Sequence, residues 1–229
     1  MGRIEKTKQI ISFHNKSLLF DFDGVISRTP CILFQAWSFA FQTTVDVNIR
    51  KEEYYLLEGT GVQKTVAVLG NKYNVDPANY QTIIKLKDDY FRSNYTFGVY
   101  DGVYELIDRL KSNGIRMALV TGANKYRILE SVPENFINQF DVLITSDDIV
   151  NTKPHPESYM KAARLLNVES NDCVVLENAP LGIQAAKAAG MFVIAVPSTL
   201  PKYHLSGADL ILESIVDLLK LINADRLGV

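Results

Sequence analysis

Ser17-Leu18-Leu19-Phe20-Asp21-Phe22-Asp23-Gly24 is the stretch that decides how this chain folds. A short apolar run ends abruptly on an acid, and such a run reads as a strand buried on both faces. Residues i and i+2 of an extended chain share a face. Asp21 and Asp23 therefore point together past the strand end, while Phe22 turns into packing. Neighbouring carboxylates repel, so one tends to keep its proton. One tripeptide can thus supply a nucleophile and an acid. Gly24 lets the chain turn sharply without a Cβ clash. The competing reading is a plain Asp-Gly turn with solvated carboxylates.

The same pattern recurs down the chain. Met117–Val120 ends at Thr121, Val142–Ile144 at Thr145, Cys173–Leu176 at Glu177, and Phe192–Val196 at Pro197. Helical patterns separate these runs. Val103, Leu106, Ile107 and Leu110 keep helix spacing and stop at Asn113-Gly114. Residues 156–167 open with Pro156 and set Met160, Ala163 and Leu166 on one face; residues 180–190 open with Pro180 and close at Gly190. Ile215, Leu218, Leu219 and Ile222 mark a last helix. Alternating strands and helices predict an α/β fold with an open, Rossmann-like parallel sheet.

Residues 29–97 break the rhythm. They hold no strand-like run, and helices are expected over 30–42, near 50–57, over 61–70 and over 79–93. The chain thus divides into an α/β core domain of residues 1–28 and 98–229 and a small helical domain of residues 29–97. Trp37 and its aromatic neighbours read as the core of this insert.

Composition narrows the function. The 229 residues are 47% hydrophobic and 22% charged, ordinary for a globular chain of one to two domains. A net charge of −2 without charge blocks argues against nucleic acid or a polybasic membrane surface. Two cysteines, Cys31 and Cys173, make no disulfide framework. No apolar run approaches the ~20 residues of a membrane span, and the charged N-terminus (Arg3, Glu5, Lys6, Lys8) lacks an apolar signal core. A soluble cytoplasmic protein is expected, as a monomer or small homo-oligomer.

Ligands of open parallel sheets bind beyond the carboxyl ends of the strands. Here those ends carry Asp21, Asp23, Thr121, Glu177 and Asn178. Hard oxygen ligands of this kind suit Mg²⁺. Thr121-Gly122-Ala123-Asn124 follows a strand and opens a helix, which reads either as an anion site or as simple N-capping by Thr121. Two prolines stiffen Lys153-Pro154-His155-Pro156, which either holds Lys153 against a phosphate or leaves it on the surface. His155 reads as a loop residue, and His14 and His204 lack zinc spacing.

Together these segments resemble the haloacid dehalogenase superfamily, in its helical-cap members of the β-phosphoglucomutase and phosphoglycolate phosphatase kind. Asp21-Phe22-Asp23-Gly24-Val25 is similar to the first family motif, Thr121 to the second and Lys153-Pro154 to the third. Glu177-Asn178, Gly182-Ile183 and Ala186 through Gly190 are similar to the fourth. The resemblance implies a Mg²⁺-dependent phosphatase of a small phosphorylated metabolite, such as a sugar phosphate or phosphoglycolate. Asp21 is then the nucleophile that forms an aspartyl-phosphate, and Asp23 the general acid and base. The metal is held by Asp21, the Asp23 carbonyl, Glu177 and Asn178. Thr121, the adjacent amides of Gly122 and Ala123, and Lys153 bind phosphoryl oxygens.

Substrate contacts are expected from Arg28 and Thr29 at the hinge and from Gly59 and Lys64 in the turn Glu58–Lys64. Dehalogenases lack the second acid, so Asp23 favours phosphoryl chemistry. Leu33 and Val62 stand where the mutases carry a histidine and an arginine, which counts against the rival mutase reading. Asn178 replaces the usual aspartate, so metal affinity is expected to fall. Lys64 is given no Schiff-base role. A non-catalytic binding protein on the same scaffold is the rival of another class; the intact Asp21, Asp23, Thr121 and Lys153 oppose it.

Overall fold

The computed structural model describes Phe13 and residues 16–226; the charged N-terminal residues and His14 lie outside the described residues. In chain order the elements are β1 (Ser17–Asp21), α1 (Pro30–Val45), α2 (Lys51–Tyr55), α3 (Val62–Lys72), α4 (Tyr80–Asn94) and α5 (Val103–Ser112). There follow β2 (Met117–Val120), α6 (Lys125–Ser131), α7 (Glu134–Ile137), β3 (Val142–Ile144), α8 (Glu157–Leu166) and β4 (Cys173–Glu177). The chain finishes with α9 (Pro180–Ala188), β5 (Phe192–Ala195), β6 (Leu210–Ile211) and α10 (Ile215–Arg226).

These six strands form one parallel sheet in the order β3-β2-β1-β4-β5-β6. From β1 the chain winds outward through β2 and β3, then returns to β4 on the other side. The switch point therefore lies between β1 and β4, where such sheets bind ligands. Register aligns the strand ends there: Asp21 lies beside Val120 and Phe20 beside Leu176.

The unbroken apolar runs follow from helices on both faces. Leu18 and Phe20 pack under α5 and α10 with Leu106 and Leu218, whereas Leu19 faces Tyr159 of α8 and Ile183 of α9. A third core gathers the helices between β1 and α5: Trp37 and Phe41 of α1, Val66 and Leu69 of α3, and Ile83 and Phe91 of α4.

Some details depart from the sequence expectations. The sequence expectations omit β6, whose run Leu210-Ile211-Leu212 is as short as that of β3 and of which two residues pair with β5. Met160, expected on the inner face of α8, is exposed, and Tyr159 and Ala162 are buried instead. Pro156 precedes α8 as its cap residue rather than opening it. Among the described residues no helix is long and apolar enough to cross a membrane.

Candidate active site

Asp21 closes β1, and the chain then turns at Gly24, whose φ is +92°. A Cβ there would come 2.1 Å from Asn178 Nδ2, so only glycine lets the first and fourth motifs meet this closely. Lys153 is buried between two acids. Its Nζ donates to Asp21 Oδ1 at 2.5 Å and to Glu177 Oε1 at 2.6 Å. The Tyr159 hydroxyl donates to the same Glu177 oxygen at 2.6 Å. Glu177 Oε2 accepts the amides of Asn178 at 2.9 Å and Ala179 at 3.2 Å. Gly182 of α9 makes room for this carboxylate, because a Cβ there would lie 1.7 Å from Glu177 Oε1.

Asp23 is held from both sides. Its Oδ1 accepts the Thr29 hydroxyl at 2.6 Å and Arg127 Nη1 at 3.0 Å, and its Oδ2 accepts Arg127 Nη2. The guanidinium lies 5.4 Å from the centre of the Phe91 ring on α4, and so touches the helical insert as well. Thr121 is buried, and its Oγ1 accepts the Ala123 amide at 3.1 Å. The cap of α6 is Asn124, which accepts the Arg127 amide at 2.8 Å, so N-capping by Thr121 is replaced.

One pocket joins these groups. Asp21, Asp23, Gly122, Ala123, Lys153, Glu177 and Asn178 line it from the sheet ends. Leu33, Trp37, Glu58, Gly59, Val62 and Lys87 close it from the insert. Four of the expected site residues are outside its lining: Thr29 and Thr121, both buried, and Arg28 and Lys64. Arg28 is half exposed and donates to Asp101 Oδ1 at 2.6 Å, and Lys64 is exposed on α3, outside the pocket lining. Thr29 is buried against Asp23, and Gly59 lies against Lys153 and Gly122.

Sequence reasoning misses Arg127, Lys87 and Tyr159, and passes over Glu58 within a segment it marks. Lys87 does leave a trace. It stands between Ile83 and Phe91 at four-residue spacing, a lysine in an apolar stripe. Nothing in the sequence marks Arg127, because its partner lies 104 residues away.

Burial pushes the Asp21 carboxyl up to about 8, against the pull of Lys153 and with the repulsion of Glu177 and Asp23 adding to it. For Asp23 burial acts in the same direction, but Arg127 and the Thr29 hydrogen bond outweigh it and hold the carboxyl below its usual value. Burial raises Glu58 well above the ordinary range, and the nearby Asp21, Asp23 and Glu177 add to the rise. Lys153 stays charged, because Asp21 and Glu177 overcome the cost of its burial.

The donor set fits a hard divalent cation. Among the described residues no three His, Cys, Asp or Glu side chains already stand at metal-binding distance, since Lys153 occupies the space between Asp21 and Glu177. Two buried oxygens of this pocket nevertheless lack any hydrogen-bond partner: Asn178 Oδ1 and Glu58 Oε1. Buried orphans of this kind call for a missing ligand, and oxygen donors are what Mg²⁺ takes.

The family model described as haloacid dehalogenase-like hydrolase matches residues 18–196. β-Phosphoglucomutase of Bacillus subtilis is 27% identical over 212 residues, covering 89% of this chain and 91% of that protein. The chloroplastic 5-amino-6-(5-phospho-D-ribitylamino)uracil phosphatase of Arabidopsis thaliana is 34% identical over 159 residues, 66% of this chain and 42% of that one. The crystal structure of CbbY from Rhodobacter sphaeroides, in complex with xylulose-1,5-bisphosphate, superposes with a TM-score of 0.76 at 28% identity, covering 89% and 96% of the two chains. The span of this chain on its curated relatives is uneven, from 19% of the length of one to 96% of another. With the motif residues gathered at one switch point and most of the chain matched, the chain belongs to the haloacid dehalogenase-like hydrolase family and counts β-phosphoglucomutase and phosphatases among its relatives.

Proposed function

We propose that this protein is a Mg²⁺-dependent phosphatase of a small phosphomonoester, of the sugar phosphate or phosphoglycolate kind, working through an aspartyl-phosphate. The observation that carries the reading is Asp21 at the sheet's switch point, bonded to a buried Lys153 with Asp23 two residues on. A carboxylate oxygen of Asp21 attacks phosphorus, and the bond to the substrate oxygen breaks. In the resting site Asp21 holds the proton and Asp23 is ionised, so the two exchange states as substrate binds. Asp21 ionises, and Asp23 takes up the proton that it gives to the leaving oxygen. Asp23 then takes one from the water that attacks the aspartyl-phosphate and releases phosphate. Lys153 neutralises phosphoryl oxygens in place, and Gly122 and Ala123 border the same space. Bound Mg²⁺, held by Asp21, the Asp23 carbonyl, Glu177 and Asn178, supplies further neutralisation of phosphoryl charge.

Residues 29–97 act as a cap over a core of residues 1–28 and 98–229, and the specificity contacts lie on the cap. Lys87 of the cap, paired with Asp88 at 2.8 Å, and Arg127 of α6, bonded to Asp23, both line the pocket, which suits an acidic or hydroxylated leaving group. The relative CbbY, held with a sugar bisphosphate, is in keeping with this. A phosphosugar mutase is the second reading, from the resemblance to β-phosphoglucomutase. Leu33 and Val62 oppose it, because both line the pocket as apolar side chains where a mutase needs polar ones.

The test is phosphate release over a panel of phosphorylated metabolites with Mg²⁺, with isomerised product assayed alongside. Release from one class of monoester, abolished by a chelator and restored by Mg²⁺, is expected. Isomerised hexose phosphate without phosphate release overturns the hydrolase in favour of the mutase.

A further inference from the structure

Glu58 lies in the turn between α2 and α3, 120 residues from Asn178, yet the two side chains meet in the wall of the pocket. Its Oε2 accepts Asn178 Nδ2 and the Thr199 hydroxyl, each at 3.1 Å. Its other oxygen, Oε1, has no partner, and neither does Asn178 Oδ1. The two residues are 7% and 1% exposed. A buried carboxyl with one oxygen bonded and the other bare is costly to ionise unless a cation completes it. The fourth motif is short of one negative charge at this point, because residue 178 is an asparagine.

We propose that Glu58 supplies the missing carboxylate, so that the divalent cation of this enzyme is held in part from the helical insert. Resting on the Mg²⁺-dependent reading above, this makes cation binding and closure of the insert one linked event. A ligand set split between two units binds its cation tightly only when both units are in place, and bound cation in turn holds the units together. Asn178 then serves twice, its amide nitrogen orienting Glu58 while its oxygen faces the cation. In an unsplit site an aspartate at 178 would supply the same negative charge alone.

The test is calorimetric titration of MgCl₂ into the metal-stripped full-length protein and its Glu58→Gln variant. Glutamine keeps an acceptor for Asn178 and Thr199 but removes the charge. The expected result is a Kd raised by at least about 10- to 100-fold, the range for loss of a group that only supports a ligand. Adding Asn178→Asp to Glu58→Gln should recover most of the affinity. Mg²⁺ should also slow amide exchange in residues 56–65 of the wild type, and far less in Glu58→Gln. Equal Kd values for wild type and Glu58→Gln overturn the inference and leave the phosphatase reading standing. A wild type that binds no Mg²⁺ overturns the inference and the metal dependence together. Mg²⁺ binding that behaves as expected, with no phosphate released from any substrate, supports the inference and sinks the phosphatase reading alone.

Discussion

Asp21 carries opposite demands in folding and in chemistry. Burial raises its carboxyl from 3.8 to about 8, so between those values the folded protein holds a proton that the unfolded chain has released. Stability therefore falls as pH rises through that window. Asp21→Asn is neutral throughout. It is expected to abolish phosphate release yet melt above the wild type at pH 8 in chelator, with the gap closing toward pH 4; thermal melts at both pH values check this. Asp23 has the reverse bias, because Arg127 holds it ionised. Asp23→Asn should cost roughly 10²–10⁴ in rate, the usual worth of general acid–base help. Arg127→Met should keep the fold and move the Asp23 limb of the pH–rate profile to higher pH. An unmoved limb would show that Arg127 does not tune this acid.

At the scale of elements, the site depends on close approach as much as on charge. α9 begins with Pro180 and brings Gly182 against Glu177, where a methyl group has no room. Gly182→Ala should displace the carboxylate, weakening Mg²⁺ binding and phosphate release together while far-ultraviolet circular dichroism stays unchanged. Gly122 meets the insert differently: a Cβ there would stand 3.0 Å from the Gly59 carbonyl oxygen. Gly122→Ala is expected to raise KM for substrate more than it lowers kcat, since it props the insert away from the sheet ends. The acid links that brace the insert are as specific. Glu53 accepts the Tyr73 hydroxyl and pairs with Lys72 and Arg50, joining the start of α2 to the end of α3.

For the molecule as a whole, the chain carries a built-in reporter. Trp37 is the only tryptophan, it lines the pocket from α1, and the Lys87 ammonium lies 5.6 Å from its ring centre. Ligand or Mg²⁺ binding that settles the insert should change its emission, and a chelator should reverse the metal-dependent part. Emission that ignores both saturating Mg²⁺ and phosphate would separate the insert from the events at the sheet.

The parallel sheet is dictated by the linear pattern of residues. Strands buried on both faces must be apolar throughout, and each run stops where its strand meets the ligand. Five of the six strands and the acids Asp21, Asp23 and Glu177 are therefore legible as punctuation. The helical stretch at 29–97 is marked too, because apolar residues at helix spacing need a core of their own. Which of its side chains reach the acids emerges only on folding. Glu58 and Arg127 look like ordinary surface charges in one dimension, and Lys87 shows only as a lysine in an apolar stripe, whereas Arg28 and Lys64, chosen by position, lie outside the pocket. Local periodicity records whether a residue is buried, but the identity of its partner is set by contacts between segments more than a hundred residues apart, and no local pattern encodes those.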